Sequence, residues 1–171
     1  MSSAKLPRPP HAVSGDEFRR ASGRFATGVA IASVADAAGA PHGLTVSSFS
    51  AVSLAPPLVL ICVAHAAASL KLFREAKYFG INVLNDQQQA LSERFARKGH
   101  DRFDGLDWRP GETGAPLLNG VLAQIECAVH QRIAAGDHDI FIGEMLRAHL
   151  HKGEPLVHFA SRYRKLAEPP E

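Results

Sequence analysis

The side chains of residues 121–130 alternate in character, and this alternation restricts the possible folds more than any other pattern in the sequence. Every second residue of this segment is apolar, namely Val121, Ala123, Ile125, Cys127 and Val129. Successive side chains of a β-strand point to opposite faces, so this period of two predicts a strand with a continuous buried face. A long half-buried strand needs neighbouring strands to pair with, which favours a sheet-based fold.

Other segments supply those neighbours. Residues 29–34, 44–49, 58–64, 79–83, 140–146 and 156–159 are strand-like, and Gly-, Asp- or Pro-containing turns separate several of them. The βαβ alternation of a doubly wound sheet is absent, as are the G-x-G-x-x-G and G-x-x-x-x-G-K-[ST] nucleotide motifs. We therefore predict a mainly β fold, an antiparallel barrel with short helices at its margins.

Three helices are predicted beside these strands. The first begins at a capping box of Ser14 and Glu17, carries Phe18 and Phe25 at helical spacing, and ends before Gly28. A second, short helix is expected directly after a capping Ser69, and a third is expected to open at residues 85–88.

Length and composition predict one globular domain. The chain has 171 residues, of which 46% are hydrophobic, and we assign residues 14–166 to the domain, 1–13 to a disordered leader and 167–171 to a frayed tail. The leader is Pro-rich and lacks the apolar stretch of a signal peptide, and the run 58–64 is too short to span a bilayer.

The charge and the cysteine content of the chain indicate its cellular location and argue against one class of partner. The net charge is +2 and no basic run exceeds the pair at 97–98, so nucleic-acid binding is not expected. Cys62 and Cys127 lie in apolar strands, where two buried, reduced thiols are the simplest interpretation. We expect a soluble cytoplasmic protein with no membrane contact.

The first candidate for chemistry is the run Gly43-Leu44-Thr45-Val46-Ser47-Ser48-Phe49. Its three hydroxyls and the backbone N–H groups beside a glycine can bind phosphate without a helix dipole. The same pattern also fits a strand whose solvent face is Ser and Thr.

A second candidate is the turn Gly136-Asp137-His138-Asp139, in which a histidine between two acids could move a proton or orient a ligand. Ordinary turn chemistry explains these residue types equally well. The nearby His149 and His151 raise a metal or hydrolase interpretation, but no H-E-x-x-H, paired C-x-x-C or G-x-S-x-G motif accompanies them, and we predict no metal site. Residues 97–116 form a long polar stretch, expected to be a functional or mobile loop.

Six landmarks in order carry a family resemblance. They are FATGV (25–29), HGLTVSSFSAVSLAPPLVLICV (42–63), NVL (82–84), ERFA (93–96), GDH (136–138) and GEPL (153–156). Together they resemble the short flavin reductases that supply reduced flavin to two-component monooxygenases.

The resemblance implies a split β-barrel homodimer that holds FMN or FAD in a groove near the dimer interface and uses NADH or NADPH as hydride donor. His138 would position the nicotinamide, with Tyr163 near the same opening, and Ser69 would reach the flavin phosphate. The other flavin-lining residues by motif match are Gly43, Leu44, Thr45, Ser47, Ser48, Cys62, Val63, Ala64, Arg94 and Phe95.

The chain departs from the family at residues 66–68, where three alanines replace hydroxyl or basic side chains and weaken the expected hold on phosphate. His158 and the pair Ala160-Ser161 also differ from the family pattern and leave the choice between NADH and NADPH open. Hydride transfer is carried by the two cofactors, so no acid–base group is required of the chain. The alternative is a non-catalytic flavin- or haem-binding module of the same fold.

Overall fold

The structure, a computed structural model, describes residues 13–97, 99 and 102–167. All of the predicted leader except Val13 lies outside the described residues, and so do residues 168–171 of the predicted tail.

The described chain forms three helices and twelve strands. The helices are α1 (Gly15–Ser22), α2 (Leu70–Glu75) and α3 (Gln89–Ala96). The strands are β1 (Thr27–Gly28), β2 (Ala30–Ala35), β3 (Pro41–Val46), β4 (Ser50–Leu54), β5 (Pro57–Ala64), β6 (Tyr78–Val83), β7 (Trp108–Pro110), β8 (Pro116–Leu118), β9 (Ala123–Ala135), β10 (His138–Leu150), β11 (Val157–Phe159) and β12 (Arg162–Arg164). The prediction of a mainly β chain with short helices is confirmed.

Seven strands form one antiparallel sheet in the order β3-β2-β6-β9-β10-β5-β4. Strands β9 and β10 are a long hairpin that pairs on one side with β6 and on the other with β5. The backbone ladder ends at β3 and β4 within the described residues, so the sheet is not a closed barrel by its backbone pairing. Two smaller sheets, β1-β11-β12 and β7-β8, lie outside this ladder.

Two apolar clusters cover opposite faces of the sheet. In β2, Ala30, Ala32 and Val34 belong to the larger cluster, whereas Ile31 belongs to a smaller one that includes Phe95 of α3. Burial on both faces explains why this strand is a continuous apolar run rather than an alternating one. Strand β5 is different: Val59, Ile61 and Val63 are buried, and the side chains between them are half-buried. The sheet therefore has one apolar face beside β5 that this chain leaves partly uncovered.

The first helix is shorter than predicted. The capping box is present, since the Ser14 hydroxyl accepts from the Glu17 N–H and the Glu17 carboxylate accepts from the Ser14 N–H. The helix nevertheless ends at Ser22 instead of continuing past Phe25, because Gly23 follows and its N–H caps the Arg19 carbonyl. No residue of α1 is buried by the described part of the chain, so the helix lacks the packing there that would extend it.

Two further expectations need correction. Ser69 precedes α2, but its side chain makes no capping hydrogen bond. The stretch 97–116 is not one irregular loop, because β7 and the start of β8 pair within it as a hairpin. Among the described residues, no helix has the length and hydrophobicity that crossing a membrane would require.

Candidate functional site

Strand β3 divides the predicted hydroxyl run between two faces. Leu44 and Val46 pack against the larger apolar cluster. Gly43 and Thr45 lie on the other face, towards α3, where the Thr45 hydroxyl donates to the Ser92 carbonyl at 2.6 Å. The hydroxyl of Thr45 is thus committed to holding α3 against the sheet.

Gly43 is a glycine because the backbone passes too close to its neighbours for a side chain. A Cβ there would lie 2.8 Å from the Ala32 carbonyl oxygen and 3.1 Å from the Phe95 ring. Phe95 is buried and packs edge-on against Phe103, with ring centroids 4.9 Å apart. The Phe95 side chain, which the resemblance predicts to line the flavin, lies directly beneath Gly43.

The two serines that follow β3 have different surroundings. The Ser48 hydroxyl accepts from the Cys62 N–H at 2.9 Å and donates to the Cys62 carbonyl at 3.3 Å. It therefore joins the chain after β3 to β5, strands that the sheet order places far apart. Ser47 is exposed and its side chain makes no hydrogen bond that the structure records among the described residues.

A third group of predicted site residues lies at the end of β5, next to Ser48. Cys62 and Ala64 are half-buried on the outer face of the strand, whereas the Val63 side chain lies in the core. Ala64 is paired in register with His138, the first residue of β10. The His138 ring is 42% exposed, and its Nδ1 lies 2.7 Å from an Asp137 carboxylate oxygen. The structure therefore brings four predicted site residues close together: Ser48, Cys62, Ala64 and His138.

A small cavity, here called the Ser69 cavity, lies between β3 and the start of α2. It has a volume of about 120 Å³ and is lined by His42, Gly43, Ala68, Ser69, Leu72, Gly99 and Arg102. The Ser69 hydroxyl is buried and has no hydrogen-bond partner among the described residues. A buried polar atom without a partner is costly, and Ser69 is one of the residues that line this cavity, which makes the cavity a candidate place for a polar ligand.

Arg102 provides a second such group, which the sequence had not indicated. Its Nη1 donates to the Gly43 carbonyl and its Nη2 to the Arg97 carbonyl, each at 2.6 Å. Its Nε is buried and has no partner among the residues that the structure describes. Burial lowers the pKa of Arg102 from its usual value, yet arginine keeps its charge in proteins. The lining of the Ser69 cavity therefore includes a cationic side chain and two residues that each have an unsatisfied polar atom.

These features make the cavity suitable for an oxyanion. Drug-sized ligands need pockets of about 300–1,000 Å³, so a 120 Å³ cavity fits a phosphate-sized group and not a tricyclic ring. Arginine and serine donors are well matched to phosphate oxygens. Arg102 also supplies the positive charge that the alanines at 66–68 do not.

Arg94 and Tyr163 lie on the α3 side of the site. Arg94 Nη2 donates to the Asp104 carbonyl at 2.6 Å, which ties α3 to the segment that carries Arg102. The Tyr163 hydroxyl lies 2.8 Å from the Ser92 hydroxyl, so Tyr163 and Thr45 meet at Ser92. Tyr163 also contacts the His158 ring edge-on, with centroids 5.6 Å apart.

A second cavity adjoins Ser47 and is called the Thr27 cavity. Its volume is about 370 Å³, and its lining is Arg19, Ser22, Gly23, Phe25, Thr27, Ser47, His158 and Ser161. The Thr27 hydroxyl is buried, and no described residue partners it. His158 and Ser161, two departures from the family pattern, both line it. A larger open groove of about 820 Å³ runs along α1 and contains none of the predicted site residues.

Asp139 is the other residue that sequence reasoning missed, since it was treated as part of the turn around His138. Its side chain is 2% exposed, and it accepts from Arg74 Nε at 2.7 Å and Nη2 at 3.1 Å. His65 Nε2 lies 2.9 Å from the same carboxylate. The hydrogen bond from Arg74 is the main cause that lowers the pKa of Asp139 to about 2. In the sequence, Asp139 is a charged residue at a position where the alternation of β10 predicts a side chain that faces the core.

Other chemistry finds no support in the described residues. They contain no cluster of three or more His, Cys, Asp or Glu side chains arranged to hold a metal ion. Burial raises the pKa of the Cys127 thiol to about 12, which keeps it from acting as a nucleophile. The candidate site is the Ser69 cavity and the nearby half-buried surface of β5, with His138 at its edge.

Comparison with known proteins identifies the family of this chain. The family model described as "Flavin reductase like domain" matches residues 22–167. The FMN reductase (NADH) SmoA of Agrobacterium fabrum is 42% identical over 160 residues, which cover 91% of each chain. The actinorhodin polyketide dimerase of Streptomyces coelicolor is also 42% identical, over 150 residues that cover 87% of this chain and 85% of that one.

A solved structure shares the fold. The NADH:FAD oxidoreductase SgcE6 of Streptomyces globisporus, in complex with NAD and FAD fragments, superimposes with a TM-score of 0.86 at 38% identity and covers 91% of this chain and 94% of its own. Other relatives are named as reductase components or subunits of monooxygenases, and the match covers 56% and 42% of two of these longer proteins. Motifs, fold and relatives agree that this chain belongs to the flavin reductase-like family, as an NAD(P)H-dependent flavin reductase that supplies reduced flavin to a partner.

Proposed function

We propose that the Ser69 cavity binds the flavin phosphate, and that the flavin ring lies along Ser47, Ser48, Cys62 and Ala64 with the nicotinamide beside His138. The observation that carries this proposal is that two residues lining one cavity, Ser69 and Arg102, each have a buried polar atom without a partner in the described part of the chain. A phosphate there would satisfy both groups and pair with the guanidinium charge.

The ring position is supported by the half-buried outer face of β5. This surface is flanked by the hydroxyl of Ser48 and by His138, which is paired in register with Ala64. Flavin and nicotinamide, when bound, supply the hydride transfer. The residues of this chain hold the phosphate, support one face of the ring and limit the approach of the donor, which is how a protein accelerates a transfer between two bound cofactors.

The direct test is a titration of the purified apo protein with FMN, FAD and riboflavin, followed by NADH oxidation with each flavin. FMN is expected to bind at least as well as FAD, because the proposed phosphate contacts come from one small cavity. Riboflavin, which lacks phosphate, should bind more weakly by about tenfold or more. Equal affinity for FMN and riboflavin would contradict the phosphate assignment.

The serines after β3 are expected to contribute separately. Changing Ser47 and Ser48 together to alanine should weaken flavin binding by about 1–3 kcal/mol through lost hydrogen bonds. Ser48→Ala alone should also lower the thermal midpoint, because it leaves the Cys62 N–H without its partner, whereas Ser47→Ala should not. Calorimetric titration of each single variant and the double variant, with melting curves as the control, separates the two effects. An intact double variant with unchanged flavin affinity would remove both serines from the site.

The chain is further proposed to be a homodimeric split barrel. Ile140 pairs in register with Cys62 on one side and Ile133 on the other, and Ile142 pairs with Leu60. These side chains form a half-covered apolar surface next to Ala64 and His138, and a second copy of the chain would bury it and add a wall to the flavin groove. The Ser48–Cys62 hydrogen bonds support the barrel, since they bridge β3 and β5 across the open side of the sheet.

Ile140→Glu is accordingly expected to shift the protein towards a monomer in light scattering, because a charge in an apolar interface is costly. Leu166→Glu, at a side chain that is 59% exposed elsewhere on the chain, is the matched control and should leave the mass unchanged. If the wild-type protein is a monomer and still reduces flavin, the proposal of a homodimer is wrong.

The electron acceptor is proposed to be a monooxygenase component that takes up reduced flavin. The names of several relatives support this, since they are reductase components of such systems. We place the activity in the cytoplasm, where the free thiols of Cys62 and Cys127 stay reduced.

A further inference from the structure

The buried carboxylate of Asp139 connects two segments that belong to different halves of the proposed site. One is the segment from His65 to Arg74, which contains Ser69 and helix α2. The other is the turn at 136–138, which ends in His138. Both ends of the first segment bond to Asp139: His65 at its start and Arg74 near its end.

The same connection is reinforced by the backbone. The His65 N–H donates to the Asp137 carbonyl at 2.8 Å, and the Asp137 carboxylate contacts the His138 ring. The segment that places the Ser69 hydroxyl in its cavity is therefore tied at one end to the turn that holds His138. The other fully buried carboxylate of the described chain, Glu126, bonds the backbone of Glu112 and Thr113 and neither half of the site.

Stability alone does not explain a carboxylate at this position. The next inward-facing residue of β10, Phe141, is fully buried in the larger cluster. A buried ion pair is often no more stabilising than apolar residues of similar volume, but it imposes one geometry on its partners. Bidentate contact from Arg74 adds directional constraint that an apolar contact lacks.

We propose that Asp139 is a positioning residue that sets the Ser69 segment and the His138 turn relative to each other, so that flavin binding and nicotinamide alignment both depend on it. This inference rests on the proposed function of those two groups. If Asp139 served only to form the turn, its replacement would lower the stability of the fold without changing the affinity for FMN or the KM for NADH.

The first variant is Asp139→Asn, which keeps the size and removes the charge. We expect both the Kd for FMN and the KM for NADH at saturating FMN to rise by about tenfold or more, since misplacement of about 1 Å can cost up to a hundredfold. The matched control is Glu126→Gln, another buried carboxylate of the sheet, which bonds Thr113 and Glu112 away from the site. It should lower the thermal midpoint and leave both constants within about twofold of the wild type.

A double variant separates positioning from stability. Asp139→Leu combined with Arg74→Met replaces the ion pair by apolar side chains and is expected to recover most of the thermal midpoint lost in Asp139→Asn. The Kd for FMN and the KM for NADH should remain raised. Recovery of both constants together with stability would overturn the proposal, and so would an Asp139→Asn variant in which only one constant changes.

Wild-type measurements in the same series distinguish this outcome from failure of the proposed function. If the wild type binds FMN and oxidises NADH while the Asp139 variants change only their melting curves, the positioning role is wrong and the site assignment stands. If the wild type shows no preference for FMN over riboflavin, the site assignment itself is wrong.

Discussion

Arg102→Met is expected to weaken FMN binding by about 1.5–3 kcal/mol, which corresponds to about tenfold to somewhat over a hundredfold in Kd. The variant keeps much of the length of a side chain that lines the Ser69 cavity, but it removes the charge and the buried Nε donor. Riboflavin binding should be nearly unchanged, because riboflavin has no phosphate to lose. Fluorescence titration of both flavins gives the comparison.

The riboflavin measurement is also the structural control. Arg102 holds the Gly43 and Arg97 carbonyls, so its loss could disturb β3 and the adjoining segment. Such a disturbance would weaken both flavins alike, whereas loss of a phosphate contact weakens FMN alone. Arg102→Lys should restore only part of the affinity, since lysine lacks the planar fork.

Ser69→Ala provides an independent check on the same cavity. Its hydroxyl has no partner in residues 13–97, 99 and 102–167, so the substitution should not lower the thermal midpoint of the apo protein. FMN affinity should nevertheless fall. A variant that is as stable as the wild type and binds FMN equally well would leave Ser69 outside the phosphate site.

His138→Ala is expected to leave FMN affinity nearly unchanged while it raises the KM for NADH, lowers turnover, or does both, by up to about a hundredfold. The ring is less than half exposed, at the end of β10 and beside the proposed flavin surface, and Asp137 fixes its orientation. Loss of the ring removes a wall that limits the approach of the nicotinamide. Steady-state kinetics with NADH varied at saturating FMN measures both constants.

A purely structural role for His138 gives a different result. The variant would then melt at a lower temperature and keep both kinetic constants. His151→Ala is the matched control, since His151 is an exposed histidine just past the far end of β10 and contacts no part of the proposed site. It should leave FMN affinity, KM and turnover unchanged.

Local patterns were sufficient for the parts of the fold that depend on neighbouring residues. The capping box at Ser14, the alternating strand around Ile125 and the turn at Gly136 all lie where the sequence predicts them. The end of α1 was not predictable in the same way, because it depended on whether Phe18 and Phe25 had a surface to pack on, and they are 63% and 77% exposed.

The sequence predicted which segments make up the candidate site, and the structure shows which way their side chains face. Gly43 lines the Ser69 cavity and Ser47 lines the Thr27 cavity. The side chains of Phe95 and Val63, however, pack in the core, because which side of an element faces a cavity depends on what lies opposite. The position of a motif therefore predicts the region in which its residues lie, but not whether each side chain faces the core or a cavity.

Strand periodicity, turn chemistry and six ordered motifs were enough to predict the class of the chain, a mainly β flavin reductase. The charges that serve the site became visible only in the folded chain. Arg102 reaches Gly43 across 59 residues of sequence, and Arg74 reaches Asp139 across 65. No local pattern encodes such pairs, because their interaction exists only after the sheet has brought distant segments together and buried them away from water.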